Sequence, residues 1–334
     1  LLSEDPEPVP VDFHCLEIRH WENVQYHSSM SQVLDMYYSA KDRAEHFRQK
    51  KSDIIKVLNN SIDRCNKKIA IQQDTLREVA DREKLKLYGE LITANIYSIP
   101  ENAKSVTLQN YYSEKGEYLE IPLDENLTPQ QNAQKYYRQY AKAKSTYTNT
   151  IQQLEDSMRE LEYLESVLQA LENCSLAQEI DEIRQELSEQ GYMTSKKRSH
   201  LRKKDEPTSP MHVKSSDGFD IFVGKNNKQN DYLTLKLASS NDIWLHTKNI
   251  PGSHVIIKKG NQEIPDRTLL EAATLAAYHS KAKMSSNVPV DYTSAKYVKK
   301  PSGAKPGMVI YEKFKTIYVT PDANLVERLK SSNK

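Results

Sequence analysis

Sixty consecutive residues, 29–88, contain neither glycine nor proline. With both helix breakers absent, such a tract can run as one helix of about 90 Å at ~1.5 Å per residue. Val33, Tyr37, Ala40, Ala44, Phe47, Ile54 and Leu58 recur in it at alternating steps of four and three, with Lys51 as the one gap. That is the seam of a coiled coil, because this spacing keeps one apolar stripe facing a partner helix. The seam turns polar at Ser61, Lys68 and Gln72 and recovers at Leu76, Val79 and Ala80. A globular core has no use for a rod of this length, so the pattern predicts an arm.

A second tract answers the first. Thr128-Pro129-Gln130-Gln131 supplies an N-cap, a proline at the first helical position and a glutamine three residues after the cap. Ala133, Tyr137, Tyr140, Tyr147, Ile151, Leu154, Met158, Leu161 and Leu168 then keep the same rhythm. It breaks at Asn173-Cys174, where Ser175 can cap a last stretch carrying Leu176, Ile180, Ile183 and Leu187 and ended by Gly191. Two such tracts in one chain favour an intramolecular antiparallel hairpin over an intermolecular zipper. Between them, 105–111 and 118–121 alternate like strands around Ser113-Glu114-Lys115-Gly116, which predicts a small β-containing tip. Tyr37, Tyr38, Tyr136, Tyr137, Tyr140 and Tyr147 read as packing at the base of the arm rather than as base-stacking groups.

The net charge of +1 conceals a division. Up to Ser195 there are 22 Lys and Arg against 33 Asp and Glu; from Lys196 onward there are 25 against 13. An acidic front of −11 is joined to a basic rear of +12, which favours a polyanion partner for the rear. Cys15, Cys65 and Cys174 are widely spaced and form neither a disulfide framework nor a zinc motif, in keeping with a reducing cytoplasm. No apolar run approaches the roughly 20 residues that span a bilayer, and no signal peptide is evident.

The expected fold is α plus α+β: a long antiparallel coiled-coil hairpin with a small tip, then a compact α+β domain with a mostly antiparallel sheet. Its segments are 1–28 (a loose lead-in with a weak hairpin at 11–26), 29–92 (first helix), 93–127 (tip), 128–191 (second helix), 192–210 (basic linker) and 211–334 (rear domain). The linker has no periodic apolar residues to dock it, so arm and rear domain are expected to be independent. Its cations fit a solvated hinge and direct nucleic-acid contact equally. In the rear domain, 219–223 reads as a strand and Gly224-Lys225-Asn226-Asn227 as a turn. A short helix follows with Asn230 as N-cap and Leu233, Leu235 and Leu237 as apolar positions. Residues 242–246 alternate at the strand period, so Asp242, Trp244 and His246 share a face. After the Pro251-Gly252-Ser253 turn, 254–257 returns as a strand; 266–281 is an amphipathic helix burying Leu269, Leu270, Ala273 and Ala277, and 288–292 and 316–320 are strands.

The Asp242, Trp244, His246 face is the one constellation resembling an active site, but it lacks a nucleophile and an oxyanion pocket. No G-x-S-x-G, H-E-x-x-H, Walker loop or Cys/His ligand spacing occurs, so catalysis, metal and cofactor are not expected. These residues fit either a structural strand or a ligand-reading face. For RNA, Lys225, Asn226, Asn227 and Lys228 offer phosphate and base-edge contacts on a turn, and Lys296, Lys299, Lys300 and Lys305 do so on a loop that Gly303 and Gly307 open to close approach. Trp244, His246 and His254 can stack on bases, with Asp242 beside them.

The blocks GKNNKQND and DIWLHTKNIPGSHVII, with Val290-Asp291-Tyr292 and the basic loop 299–307, resemble the NFACT-R domain that closes the NFACT proteins. The likeness extends upstream through the paired helices to about Ser29. Bacterial members of that family are ribosome quality-control factors of the RqcH type, long labelled fibronectin-binding proteins; nuclear-export mediators are their eukaryotic relatives. The resemblance implies a cytoplasmic, non-catalytic adaptor that binds obstructed large ribosomal subunits, rRNA and tRNA and supports alanine tailing of stalled peptides. The tip would be a ribosome or partner contact. In the family the tRNA-selecting pair lies in an N-terminal domain, of which 1–28 resembles the end, so tailing by this stretch alone is not expected. The older family name implies the alternative, a fibronectin-binding module displayed at the cell surface.

Overall fold

The structure, a computed structural model, describes residues 10, 12–16, 24–114, 116–194 and 208–331. The first helical tract folds as Met30–Glu78 (α1) and Arg82–Ala94 (α2), with a bend at 79–81, and packs against Pro129–Glu172 (α3). Partners run in opposite senses along the pair. Lys51 Nζ donates to the Glu172 carbonyl at 3.0 Å, Arg82 lies 3.5 Å over the Tyr147 ring, and Tyr88 meets Tyr136 edge-on. The hairpin is therefore antiparallel. Ile54 and Leu58 are fully buried, and Cys65 is buried on the same stripe. Burying each such aliphatic side chain stabilises by about 1.5–3 kcal/mol.

The expected single helix over 29–88 is divided by the bend, for a reason of phase. Continued from Val79 at steps of four and three, the seam would bury Glu83 and Lys86, both of which are exposed. After the bend the buried residues are Gly89, Leu91 and Ile92. The second tract starts as expected: Thr128 N–H donates to Gln131 Oε1 (3.0 Å) and Gln131 N–H to Thr128 Oγ1 (3.3 Å). Met158, expected in its seam, is exposed, while Ser157, Tyr163, Leu164, Val167 and Leu171 are buried. The last stretch is Ala177–Glu189 (α4), capped at Leu176 rather than Ser175. Both residues donate their N–H to the Glu179 carboxylate, at 3.1 and 2.8 Å.

Residues 63–161 form one compact unit and 1–62 with 162–334 form another. In the first, Ser105–Gln109 (β1) pairs antiparallel with Tyr118–Pro122 (β2) beside a small core of Leu91, Ile92, Ile99, Leu108, Ile121 and Ala133. Lys115 of the expected turn lies outside the described residues, but Gly116, at φ +57°, closes it by donating to the Ser113 carbonyl at 2.9 Å. Tyr136 and Tyr137 pack on Tyr88 and Gly89 next to this tip, not at the base of the arm.

The second unit is built on a six-stranded, wholly antiparallel sheet. Its strands are Met211–Lys214 (β3), Asp220–Val223 (β4), Ile243–Thr247 (β5), Val255–Ile257 (β6), Val288–Ser294 (β7) and Lys315–Val319 (β10), in the order β10-β7-β5-β6-β4-β3. A separate two-stranded pair joins Val298–Lys299 (β8) to Ile310–Tyr311 (β9). Asn227–Tyr232 (α5) lies between β4 and β5 in the chain, Asp266–Tyr278 (α6) between β6 and β7, and Ala323–Ser331 (α7) ends the described fold. Alternation sorts the sheet's side chains. Ile221, Val223, Leu245, Val255 and Ile257 pack with Ala273, Ala276 and Ala277 of α6, while Trp244 and Ile256 face the other way onto Leu233 and Val298. Helix α6 is shorter than expected, and its Leu270 is exposed. The expected hairpin at 11–26 shows no strand in residues 12–16 or 24–26; residues 17–23 lie outside the described ones, as do 195–207 of the linker.

Candidate nucleic-acid interface

The turn after β4 does not stand free. Helix α4 carries Glu179, Glu182, Glu186 and Glu189 at steps of three, four and three, a single row of carboxylates. Lys225 Nζ meets Glu179 at 2.8 Å, Asn226 Nδ2 donates to Glu182 at 2.8 Å, Asn227 Nδ2 to Glu186 at 3.3 Å, and Lys228 Nζ meets Glu189 at 2.7 Å. Thr208, from the end of the linker, also donates to Glu182, and Lys281 pairs with Glu165 of α3 at 3.0 Å. The expected independence of arm and rear domain therefore fails for the end of the second helical tract, which is fastened to the rear domain by charge. Asn226, not Asn230, is the N-cap of α5, accepting from Gln229 N–H at 2.9 Å. Asn230 instead accepts the His254 N–H at 3.0 Å, in space that a Cβ on Gly224 would occupy.

This row makes stability depend on pH in two windows. Burial pushes the Glu186 carboxyl up to about 7, against hydrogen bonds from Tyr163 and Asn227 and the nearby Lys228 charge. A folded-state value above the unfolded 4.5 means the native state holds the extra proton, so stability is full below pH 4.5 and falls as pH rises through about 7. Glu179 is the opposite case: burial raises it, but Lys225 and the N–H groups of Ser175 and Leu176 prevail and hold it below its usual range. Its stabilisation is present above pH 4.5 and is lost only at more acid pH. Glu186→Gln is expected to remove a loss of up to about 3 kcal/mol between pH 5 and 8, read as urea midpoints at the two pH values. A slope retained in the variant would assign it to other groups.

The sheet residues are mostly structural. Asp242 is buried, with its carboxylate bonded to Ser239 N–H (2.7 Å), Lys259 N–H (2.9 Å) and Lys258 Nζ (2.5 Å). Burial would raise it, but these partners hold it below the usual carboxylate range. Trp244 is fully buried, and its ring lies 5.2 Å from His254, 5.8 Å from His246 and 4.8 Å from Tyr311. Burial pushes His246 down to about 4 and His254 well below its usual value, so both rings are neutral at pH 7. Trp244 and His246 do share a face, with Leu233, Val298 and Tyr311 packed on Trp244 and His246 left half-buried, while Asp242 is turned to Ser239, Lys258 and Lys259.

The second basic loop divides. Lys300 is paired with Asp231, which also accepts the Gly307 N–H at 3.1 Å, and Lys305 sits 4.6 Å from the ring centres of both Tyr163 and Tyr192. Lys296 and Lys299 are exposed, with no carboxylate partner among the described residues. Lys296 and Lys313 lie 5.1 and 4.8 Å from the Tyr297 ring, Lys248 lies 5.1 Å from the Phe314 ring, and Lys315 follows on β10. Glu312 places one carboxylate in the same loop. Lys248, Lys313, Phe314 and Lys315 are absent from the set expected from sequence. The readable signal is Lys313-Phe314-Lys315, an aromatic between cations.

Fold and surface define a helical-hairpin protein that carries an α+β domain with a lysine and aromatic face. Family models for the NFACT N-terminal and middle domains and for the NFACT protein RNA binding domain match residues 3–206 and 210–313, and the chain belongs to the NFACT family. It is similar to the Rqc2 homolog RqcH of Bacillus subtilis (strain 168), at 42% identity over 323 residues, covering 96% of this chain and 56% of that protein. The Rqc2 homolog RqcH of Streptococcus suis (strain 05ZYH33) is 40% identical over 310 residues, covering 92% and 55%. The chain thus spans about half the length of these relatives. A solved structure, the C-terminal part of the fibronectin/fibrinogen-binding protein from Streptococcus suis, matches with a TM-score of 0.67 at 35% identity, over 85% of this chain and 99% of that one. No described helix is long and apolar enough to cross a membrane.

Proposed function

We infer that this chain is a non-catalytic RNA-binding adaptor of ribosome quality control, working in the cytoplasm on obstructed large ribosomal subunits. The observation that carries this is the surface of exposed Lys296, Lys299, Lys313 and Lys315 with half-buried Lys248, beside Tyr297 and Phe314, in the domain whose residues 210–313 the family's RNA-binding model matches. Cations beside aromatic rings suit phosphate contact and base stacking together. Holding tRNA and supporting alanine tailing belong to the same reading and draw on the likeness to the Rqc2 homolog RqcH relatives. If about four phosphates are neutralised, affinity for large subunits should fall roughly 50-fold between 100 and 300 mM salt. Co-sedimentation at the two concentrations measures this, and a flat response would defeat the reading. The second reading, fibronectin binding at the cell surface, draws on the description of the Streptococcus suis structure. It requires capture of fibronectin that survives both salt and ribonuclease.

A further inference from the structure

The sequence blocks around Asn227, Trp244, His254 and Gly307 do not meet at the basic surface. They meet around a cavity of about 120 Å³. Trp244 and His246 on β5, His254 before β6, and Asn227 and Asn230 of α5 line it together with Tyr311. Trp244 Nε1 is buried with no hydrogen-bond partner among the described residues, although an unpaired buried N–H is costly. Gly307, at φ +78°, is required here, since a Cβ would come within 2.6 Å of Asn227 Oδ1. The lining includes no lysine or arginine, and both imidazoles are neutral, so an anion has nothing to hold it. A planar, uncharged ring with hydrogen-bonding edges suits this lining: Trp244 Nε1 is an unpaired donor, Asn227 Oδ1 can accept while its Nδ2 is held by Ser166 and Glu186, and Asn230 Nδ2 can donate while its Oδ1 takes the His254 N–H. A cavity of about 150 Å³ takes up a benzene ring, so one of about 120 Å³ with an open mouth has room for at most a single six-membered ring, its edge in the mouth, and not for a purine bicycle. Its mouth is at the surface, where lining residues Glu162 and Asn249 are exposed. Tyr311 also touches Phe314 at 5.3 Å, and Phe314 carries Lys248, which joins the cavity wall to the basic surface.

The geometry points to a pocket for one unpaired pyrimidine base, inserted from an RNA strand whose phosphates lie on the lysine surface. This deepens the RNA-binding reading and rests on it. Trp21 and Trp244 are the two tryptophans of the chain, so Trp21→Phe leaves Trp244 as the sole indole reporter. Three hexamers of equal backbone charge, of uridine, of adenosine and of abasic sites, would be titrated into that protein at low salt. Uridine hexamer should quench Trp244 emission saturably and bind about tenfold tighter than the abasic strand, with adenosine behaving like the abasic one. Met308→Trp, which fills the cavity from a partly exposed loop position, should remove the uridine preference and keep the abasic affinity; binding is followed by anisotropy in this variant. If all three hexamers bind equally without altering Trp244 emission, the pocket is refuted and the surface reading stands. If none binds, both fall. If adenosine matches uridine, the single-ring assignment is wrong.

Discussion

Replacing Lys296, Lys299, Lys313 and Lys315 together by glutamate is expected to abolish association with large ribosomal subunits and leave the thermal melt unchanged. All four are exposed and without a carboxylate partner among the described residues, so the fold loses no ion pair. The surface charge changes by about −8, phosphate contacts become repulsions, and affinity should fall by at least ~100-fold. Lys225→Glu with Lys228→Glu should act in the opposite way. Those ammonium groups hold Glu179 and Glu189, so reversal sets one new carboxylate against buried Glu179 and another against half-exposed Glu189. The cost should be about 3 kcal/mol, at the low end for a buried pair because Lys225 keeps a third of its side chain in water. Subunit binding should be little altered where the protein stays folded. Loss of binding in the second variant but not the first would move the interface to the turn after β4.

Ile54→Asp should lower stability by about 4 kcal/mol or more. The side chain is fully buried in the α1 seam, and an aspartate there loses apolar burial and leaves a charge without a partner. Helical circular dichroism through a urea titration would show an earlier midpoint, and Ile54→Leu should stay near the parent because volume is conserved. An unchanged midpoint for Ile54→Asp would show that the seam does not pass through residue 54.

The hairpin was legible because its signal is local and periodic. Ile54, Leu58 and the Thr128-Gln131 capping box are each specified by neighbours within a turn or two of helix. The bend at 79–81 was less legible, since it shows only where the predicted stripe runs into Glu83 and Lys86. Strand alternation likewise set Trp244 and His246 on one face of β5 and Leu245 on the other.

What periodicity could not state is which charges and rings remain available. Lys225 and Lys296 are alike in sequence, both lysines in polar loops of a basic half, yet one is bound to Glu179 and the other faces water. The pairing of Lys225 with Glu179 joins residues 46 positions apart, and part of the +12 and −11 asymmetry is answered within the chain itself. The sequence by itself determined the helices, the strand faces and the excess of cations in the rear half, because those depend on spacing and composition. Only the tertiary structure decided that Trp244 is buried, that α4 occupies the turn after β4, and that Lys296, Lys299, Lys313 and Lys315 stay exposed. Desolvation and ion pairing act between groups brought together through space, and no local pattern records them.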